Sequence, residues 1–301
     1  MFMVGSSQLA GSIGRSSGRW LTISSCHSSR NALFTLLVQT WASVQERRIL
    51  MMHVYSSEFY DYINSGSTNS ARHIAPLMRS VTPIDSVLDV GAGVGAWAAE
   101  WMRAGASDVV AVDGPYTDNT SFLVPDEQFV KHDLQTPLDL GRKFALVQSL
   151  EVAEHIPHKS ADTFIDTLVR HGDIVLFSAA VPGQGGEHHV NERPLEFWRK
   201  KFQTRGYAAF DWLRPLIRDE KLVQPWYRYN TIIYANASGQ DRLAPEVLEA
   251  RVSDRRAVPH AGSFAWRLRR ALVRAMPTPF VTRVATILAH RKASAYREAG
   301  I

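Results

Sequence analysis

Val87-Leu88-Asp89-Val90-Gly91-Ala92-Gly93-Val94-Gly95-Ala96-Trp97 is the stretch that decides the fold of this chain. Val87, Leu88 and Val90 make a short apolar run, which predicts a strand. Three glycines follow at alternate positions, 91, 93 and 95. Glycine takes φ > 0 without steric cost and lets backbone approach a ligand that any Cβ would strike. Residues 96–104, rich in Ala and Trp, predict a helix opening on that loop. Strand, glycine turn and helix form the nucleotide-cradling corner of an α/β sheet.

Two kinds of ligand fit such a corner. The run matches G-x-G-x-x-G/A, with Ala96 as the third small residue, so the glycines alone admit a dinucleotide. Asp89 separates the candidates. Pyrophosphate is drawn to the positive end of the helix, and a carboxylate beside it would repel that charge. S-adenosylmethionine carries no phosphate and brings a sulfonium and an ammonium group, for which an acid is an asset. Acids recur at the later strand ends. The apolar run 109–112 ends in Asp113, roughly 20 residues past the glycines, where a carboxylate reaches ribose hydroxyls. Phe129 and Val130 lead into Lys131-His132-Asp133-Leu134, with Asp133 placed for an adenine amino group and Leu134 for the ring face. Residues 144–150 run into Glu151-Val152-Ala153-Glu154-His155-Ile156-Pro157.

These residues resemble the class I S-adenosylmethionine-dependent methyltransferases over residues 55–236. The resemblance implies a Rossmann-like, seven-stranded, mostly parallel sheet with helices on both faces and an antiparallel last strand. It assigns Asp89, Gly91, Gly93 and Gly95 to the methionine end of the cofactor, Asp113 to the ribose and Asp133 to the adenine. Residues 173–179, 208–213 and 229–236 are the expected fifth, sixth and seventh strands. Residues 161–169 and 195–204 have helical periodicity between them, and residues 71–79 predict a helix ahead of the sheet. The expected organisation is an N-terminal extension over 1–50, a methyltransferase domain over 51–240 and a basic helical tail over 241–301.

Methyl transfer from a sulfonium needs donor and acceptor held in near-attack geometry, and a proton removed when the acceptor is a hydroxyl. Glu151, Glu154 and His155 stand at i, i+3 and i+4, which shares one face of a helical turn. A second polar loop, residues 183–192, follows the fifth strand and contains His188 and His189. In a parallel sheet the two loops emerge side by side. His155, Glu151 and His189 are therefore the candidate catalytic residues. Glu151, Glu154, His155 and His189 are candidate ligands for Mg²⁺ or Mn²⁺, because the E-x-x-E-H run is similar to one that binds metal in ubiquinone-pathway O-methyltransferases and small-RNA 2′-O-methyltransferases. A metal-free histidine base and a purely structural turn fit the same residues.

Composition bounds the rest. The 301 residues are 45% hydrophobic, enough for a sizeable core. Cys26 is the only cysteine, which excludes an intrachain disulfide framework and a cysteine-based zinc site. The net charge of +5 is uneven: residues 241–301 hold twelve Arg or Lys against five Asp or Glu, a balance of +7 that leaves −2 for the remainder. A near-neutral catalytic region argues against gripping a long polyanion. The acceptor expected is a small molecule with a hydroxyl: a phenol or quinone precursor, a glycan sugar or a lipid-linked intermediate. An RNA 2′-O-methyltransferase and a non-catalytic cofactor-binding subunit are the alternatives. Residues 1–50 contain Arg15, Arg19 and Arg30, many serines and no acid before Glu46. They fit a start set too far ahead of Met51-Met52, a disordered extension, or an organellar transit peptide. Residues 263–290 alternate apolar side chains with arginines, a pattern for a peripheral membrane or protein contact on an otherwise cytoplasmic protein, or for a helix folded back with its arginines solvated.

Overall fold

The computed structural model describes residues 57–114, 122–276 and Val281; the N-terminal extension and most of 277–301 lie outside them. Seven strands form one sheet: β1 (Ser86–Val90), β2 (Asp108–Asp113), β3 (Phe129–Lys131), β4 (Leu146–Leu150), β5 (Ile174–Ser178), β6 (Ala208–Phe210) and β7 (Ile232–Ala235). Their order is β3-β2-β1-β4-β5-β7-β6. The first five pair in parallel, while β7 runs antiparallel to both β5 and β6. The expected Rossmann-like architecture is therefore the observed one, with the antiparallel seventh strand inserted between the fifth and sixth. Strand order reverses at β1, between β2 and β4, and ligands of open α/β sheets bind outside the strand ends at such a point.

Neighbouring side chains on a strand point to opposite faces, and both faces here are covered. On one, Val87, Ala111, Leu146 and Leu176 pack against Ile74 and Met78 of α1 (Ser57–Val81) and Trp97 and Trp101 of α2 (Ala96–Arg103). On the other, Leu88, Val112, Val147 and Val175 meet Phe164 and Leu168 of α3 (Ala161–His171) and Trp198 and Phe202 of α4 (Leu195–Gln203). Burial on both sides explains why the strands read as near-continuous apolar runs rather than alternating ones.

Several expected boundaries move. α1 begins at Ser57, so the Ser, Thr, Asn and Gly stretch ahead of residue 71 is helical. Its polar groups are absorbed: the Ser70 hydroxyl donates to Gly66 O at 2.7 Å and accepts from Gln224 N at 3.0 Å. β4 starts two residues late, because Phe144 makes only an isolated bridge to Gly172. β7 starts three residues late. Pro225 at the N-terminus, where its missing N–H costs nothing, sets up a short helix that carries Tyr229 and Asn230 instead.

The short helices α5 (Leu213–Ile217), α6 (Pro225–Asn230), α7 (Ala237–Gln240) and α8 (Pro245–Glu249) close the β6–β7 end. Residues beyond 240 also contribute to the core: Leu243 and Val247 join the α1 side, Val252 and Val258 the α3 side. Val252 N donates to Ala209 O at 2.8 Å, fastening this segment to the β6 edge. α9 (Phe264–Arg274) follows, capped by the Ser263 side chain accepting from Trp266 N.

Candidate functional site

The loop after β1 builds one half of the site. Gly91, Gly93 and Gly95 have φ of 85°, 58° and 88°. At Gly91 the glycine is obligatory twice over: an L-residue rarely adopts that φ, and a Cβ would lie 2.3 Å from Val152 Cγ2. That contact brings the β1 loop against the β4 loop. Around Gly93 no heavy atom of the described residues lies within 4 Å of where a Cβ would stand. Asp113, at the tip of β2, ties the loop down: its carboxylate accepts from Gly93 N at 2.5 Å and Gly114 N at 2.7 Å.

Asp89 lies inside the sheet end, 3% exposed, paired in register with Ala111 and Gln148. Its Oδ2 is buried with no hydrogen-bond partner among the described residues. Burial pushes its pKa up to about 7, against the pull of Gln148 and with the charge of Asp113 adding to the rise. A buried acid with an unmatched oxygen is costly alone and favourable beside a cation. Asp133 differs. It is exposed, and its carboxylate accepts from Gln135 N at 3.0 Å in a local turn. Leu134 is buried among the core side chains on the α3 side.

The loops after β4 and β5 build the other half. Glu151 takes φ of 59°, an uncommon state for a non-glycine residue. Its backbone N–H reaches Ser178 O at 3.0 Å, which holds the turn against β5. Its side chain accepts from Gln184 Nε2 at 2.5 Å and Asn230 Nδ2 at 3.3 Å. Burial raises the Glu151 pKa, partly offset by Gln184, Ser178 and Asn230. Glu154 is 1% exposed, and among the described residues neither of its carboxylate oxygens has a hydrogen-bond partner. Burial, then the charge of Glu151, drives its pKa well above the ordinary carboxylate value. The backbone of Glu154 organises the histidine loop: its carbonyl accepts from Val190 N at 3.0 Å and Asn191 N at 2.9 Å.

His155 and His189 meet edge to face with ring centroids 4.9 Å apart. Burial, and then the neighbouring His189, lowers the His155 pKa to about 3, so that ring is neutral. His189 Nδ1 lies 2.9 Å from Glu192 Oε1, and its Nε2 is 4.0 Å from Glu154 Oε1. Glu192 is itself fixed by Gly183 N and Gly185 N, each at 2.8 Å. Burial opposes ionisation of Glu192, but His189 and those amides outweigh it and hold the pKa below the usual value.

Of the four candidate metal ligands, three converge: one ligand atom each from Glu154, His155 and His189 lie within 4.8 Å of one another. Glu151 stands beside them but is engaged by Gln184 and Asn230. His188 adopts φ of 55° at the crest of the histidine loop. Three residues of this site were given no role in the sequence analysis: Gln184, Glu192 and Asn230. Glu192 had a signal, since it follows His189 by three residues in one polar loop. Asn230 had none, being 79 residues from the carboxylate it contacts.

A family model described as a methyltransferase domain matches residues 36–215, more than half of the chain. The chain belongs to the methyltransferase domain family. The resemblance to class I S-adenosylmethionine-dependent methyltransferases drawn from the glycine loop is thereby borne out. The match begins inside the segment that composition set apart as an extension. Comparison with curated proteins gives no match. Among solved structures, the chain is similar to DesVI of Streptomyces venezuelae at 22% identity, over 43% of this chain and 58% of that one, with a TM-score of 0.37. It is similar to the glycopeptide N-methyltransferase MtfA bound to S-adenosylmethionine at 18% identity, over 39% and 57%, with a TM-score of 0.33. Magnesium protoporphyrin IX methyltransferase from Synechocystis PCC 6803 matches at 16% identity, over 65% and 91%, with a TM-score of 0.40. The chain thus spans under two thirds of the first two.

The cofactor of this domain family suits the residues present. Among the described residues, the unmatched, buried Asp89 oxygen suits a cationic group, and nothing stands within 4 Å of where a Cβ at Gly93 would be. No helix among the described residues is long and apolar enough to cross a membrane.

Proposed function

We propose that the protein is an S-adenosylmethionine-dependent O-methyltransferase whose acceptor hydroxyl is received between the β1 loop and the Glu154–His155–His189 cluster. The cofactor supplies an electrophilic methyl on a good leaving group, so the protein contributes positioning and proton removal. Asp89 selects the cofactor. Its charge attracts the ammonium and sulfonium of S-adenosylmethionine and repels the pyrophosphate of a dinucleotide.

One observation carries the acceptor half: a fully buried Glu154 carboxylate with both oxygens unpartnered, facing a neutral His155 and the Nε2 of His189. Such a set suits a divalent cation of the Mg²⁺ or Mn²⁺ class, which would lower the pKa of the acceptor hydroxyl. Glu192 plays the orienting part that a carboxylate plays behind a metal-ligating histidine. The same Glu192–His189 pair also fits a metal-free base, because a proton held on Nδ1 leaves Nε2 to accept the hydroxyl proton. Titration with Mn²⁺ separates the two: a shift in melting temperature that is lost in Glu154→Gln supports the ion, and activity unchanged by EDTA supports the base. The acceptor class proposed is a small molecule bearing a phenol, sugar or lipid-linked hydroxyl. Labelled cofactor offered with RNA and with lipid or glycan extracts tests that class. Label found only in RNA would overturn it.

A further inference from the structure

α9 stands on the acceptor half of the site with two unlike faces. The inner face grips the β5 loop. Arg269 Nη1 donates to Gln184 O at 2.8 Å, and Arg270 Nη2 donates to Pro182 O at 2.8 Å. Trp266 packs on Tyr229 with ring centroids 5.4 Å apart, and Val273 lies against Gly185. The outer face leaves Phe264 74%, Leu268 51%, Leu272 57% and Met276 40% exposed. The first three stand at intervals of four residues and line one stripe of the helix, which Met276 continues just past its C-cap. Arg267 is exposed beside that stripe on the side away from Arg269, while the stem of Arg274 packs by Gly183 at the edge of the inner face.

A stripe of large apolar side chains exposed to water is uncommon on a monomeric surface, and its charge setting says what suits it. From Arg255 to Arg297 the sequence holds ten Arg or Lys and no acid. An occupant must be apolar along the stripe and anionic at its flanks. A bilayer interface of anionic lipid meets both demands, with hydrocarbon under the Leu and Phe side chains and phosphates beside the arginines. A polyanion such as RNA satisfies the arginines and leaves the stripe wet.

We propose that α9 docks the protein on an anionic membrane surface through Phe264, Leu268, Leu272 and Met276. Its inner face then holds the acceptor loop at that surface, with Arg269 bonded to the backbone of Gln184, whose side chain bonds Glu151. This places the mouth of the site where an amphiphile presents its hydroxyl, and it favours the lipid-linked member of the acceptor class. The assignment of acceptor rests on the methyltransferase reading above. The docking itself does not.

The experiment is co-flotation of the full chain with vesicles of phosphatidylcholine alone and of phosphatidylcholine mixed with phosphatidylglycerol, beside the double variant Leu268→Glu/Leu272→Glu. Both leucines are exposed, so the fold should survive, and an unchanged melting temperature together with adenosylhomocysteine binding checks that it does. The expected result is binding to the mixed vesicles only, weakened by added salt and reduced at least about tenfold in the variant. Absence of binding by the wild-type chain, equal binding to both vesicles, undiminished binding by the variant, or capture of RNA with no capture of vesicles would each overturn the proposal. Retained adenosylhomocysteine binding without vesicle binding would sink the docking and leave the methyltransferase reading intact. Vesicle binding without adenosylhomocysteine binding would do the reverse.

Discussion

The two halves of this sheet edge are built by different means. The cofactor half, after β1 and β2, is mostly backbone: three glycines in left-handed conformation, amides fixed by Asp113, and one buried acid at Asp89. The acceptor half, after β4 and β5, is mostly side chain: Glu151 bonded to Gln184 and Asn230, and His189 bonded to Glu192. A backbone cradle recognises what every member of a cofactor class shares. A side-chain network can be re-aimed residue by residue and suits an acceptor that differs between enzymes. The contrast implies that substitutions in the first half act on cofactor affinity, and in the second on turnover.

The largest effect should come from Glu154→Gln and His189→Ala. Turnover is expected to fall on the order of 10²- to 10⁴-fold, with adenosylhomocysteine affinity nearly unchanged by calorimetry; an equal loss of cofactor binding would erase the division. Next is Gly91→Ala. Its Cβ would collide with Val152, and the φ of 85° is strained for alanine. Overpacking and strain together should cost about 2–4 kcal/mol of stability, read as a lower denaturation midpoint, along with weakened cofactor binding. Glu192→Gln should reduce kcat about 10- to 100-fold with little change in KM, and it should displace the pH–rate profile, which loss of packing alone would not do. Asp133→Ala is the mildest. The carboxylate is exposed, so a single lost hydrogen bond should weaken the cofactor by roughly 1 kcal/mol.

Asp89 makes the cofactor half sensitive to pH. Its folded pKa of about 7 lies above the ordinary carboxylate value. The ligand-free fold therefore binds an extra proton between those two values, and stability falls as pH rises through that window and levels off above about 7. A cationic cofactor needs the ionised form, so its affinity should run the other way, weakening as pH drops below about 7. Asp89→Asn should stabilise the ligand-free protein at high pH and bind cofactor more weakly, without that pH dependence.

The sequence made the cofactor half legible because its signals are local. Glycine spacing, the acid before it and the acid closing β2 all sit within one βαβ unit, and each has a fixed geometric consequence. The parallel strands were legible for a similar reason, as short apolar runs bounded by turns. The acceptor half was visible only as an inventory of acids and histidines. Which of them converge depends on pairings 33 and 79 residues apart, which no local pattern carries. Residues 229–231 show the same limit in the fold: their aromatic and β-branched content suits a strand, but the helix begun at Pro225, with Tyr227 and Tyr229 buried, runs through Asn230, and the strand starts only at Ile232. Residues 243–258 read as tail because they follow the last expected strand, whereas their three arginines are matched by three acids and four of their apolar side chains belong to the core.

The decisive measurement is calorimetric titration of the full chain with S-adenosylmethionine and, separately, with NADH, between about pH 6 and 8. Cofactor selection through a buried, ionisable Asp89 requires binding of the first ligand alone, with an affinity that rises through about pH 7 in the wild type and stays flat and weak in Asp89→Asn. Uptake of NADH without S-adenosylmethionine, or S-adenosylmethionine binding indifferent to both pH and Asp89, would contradict it.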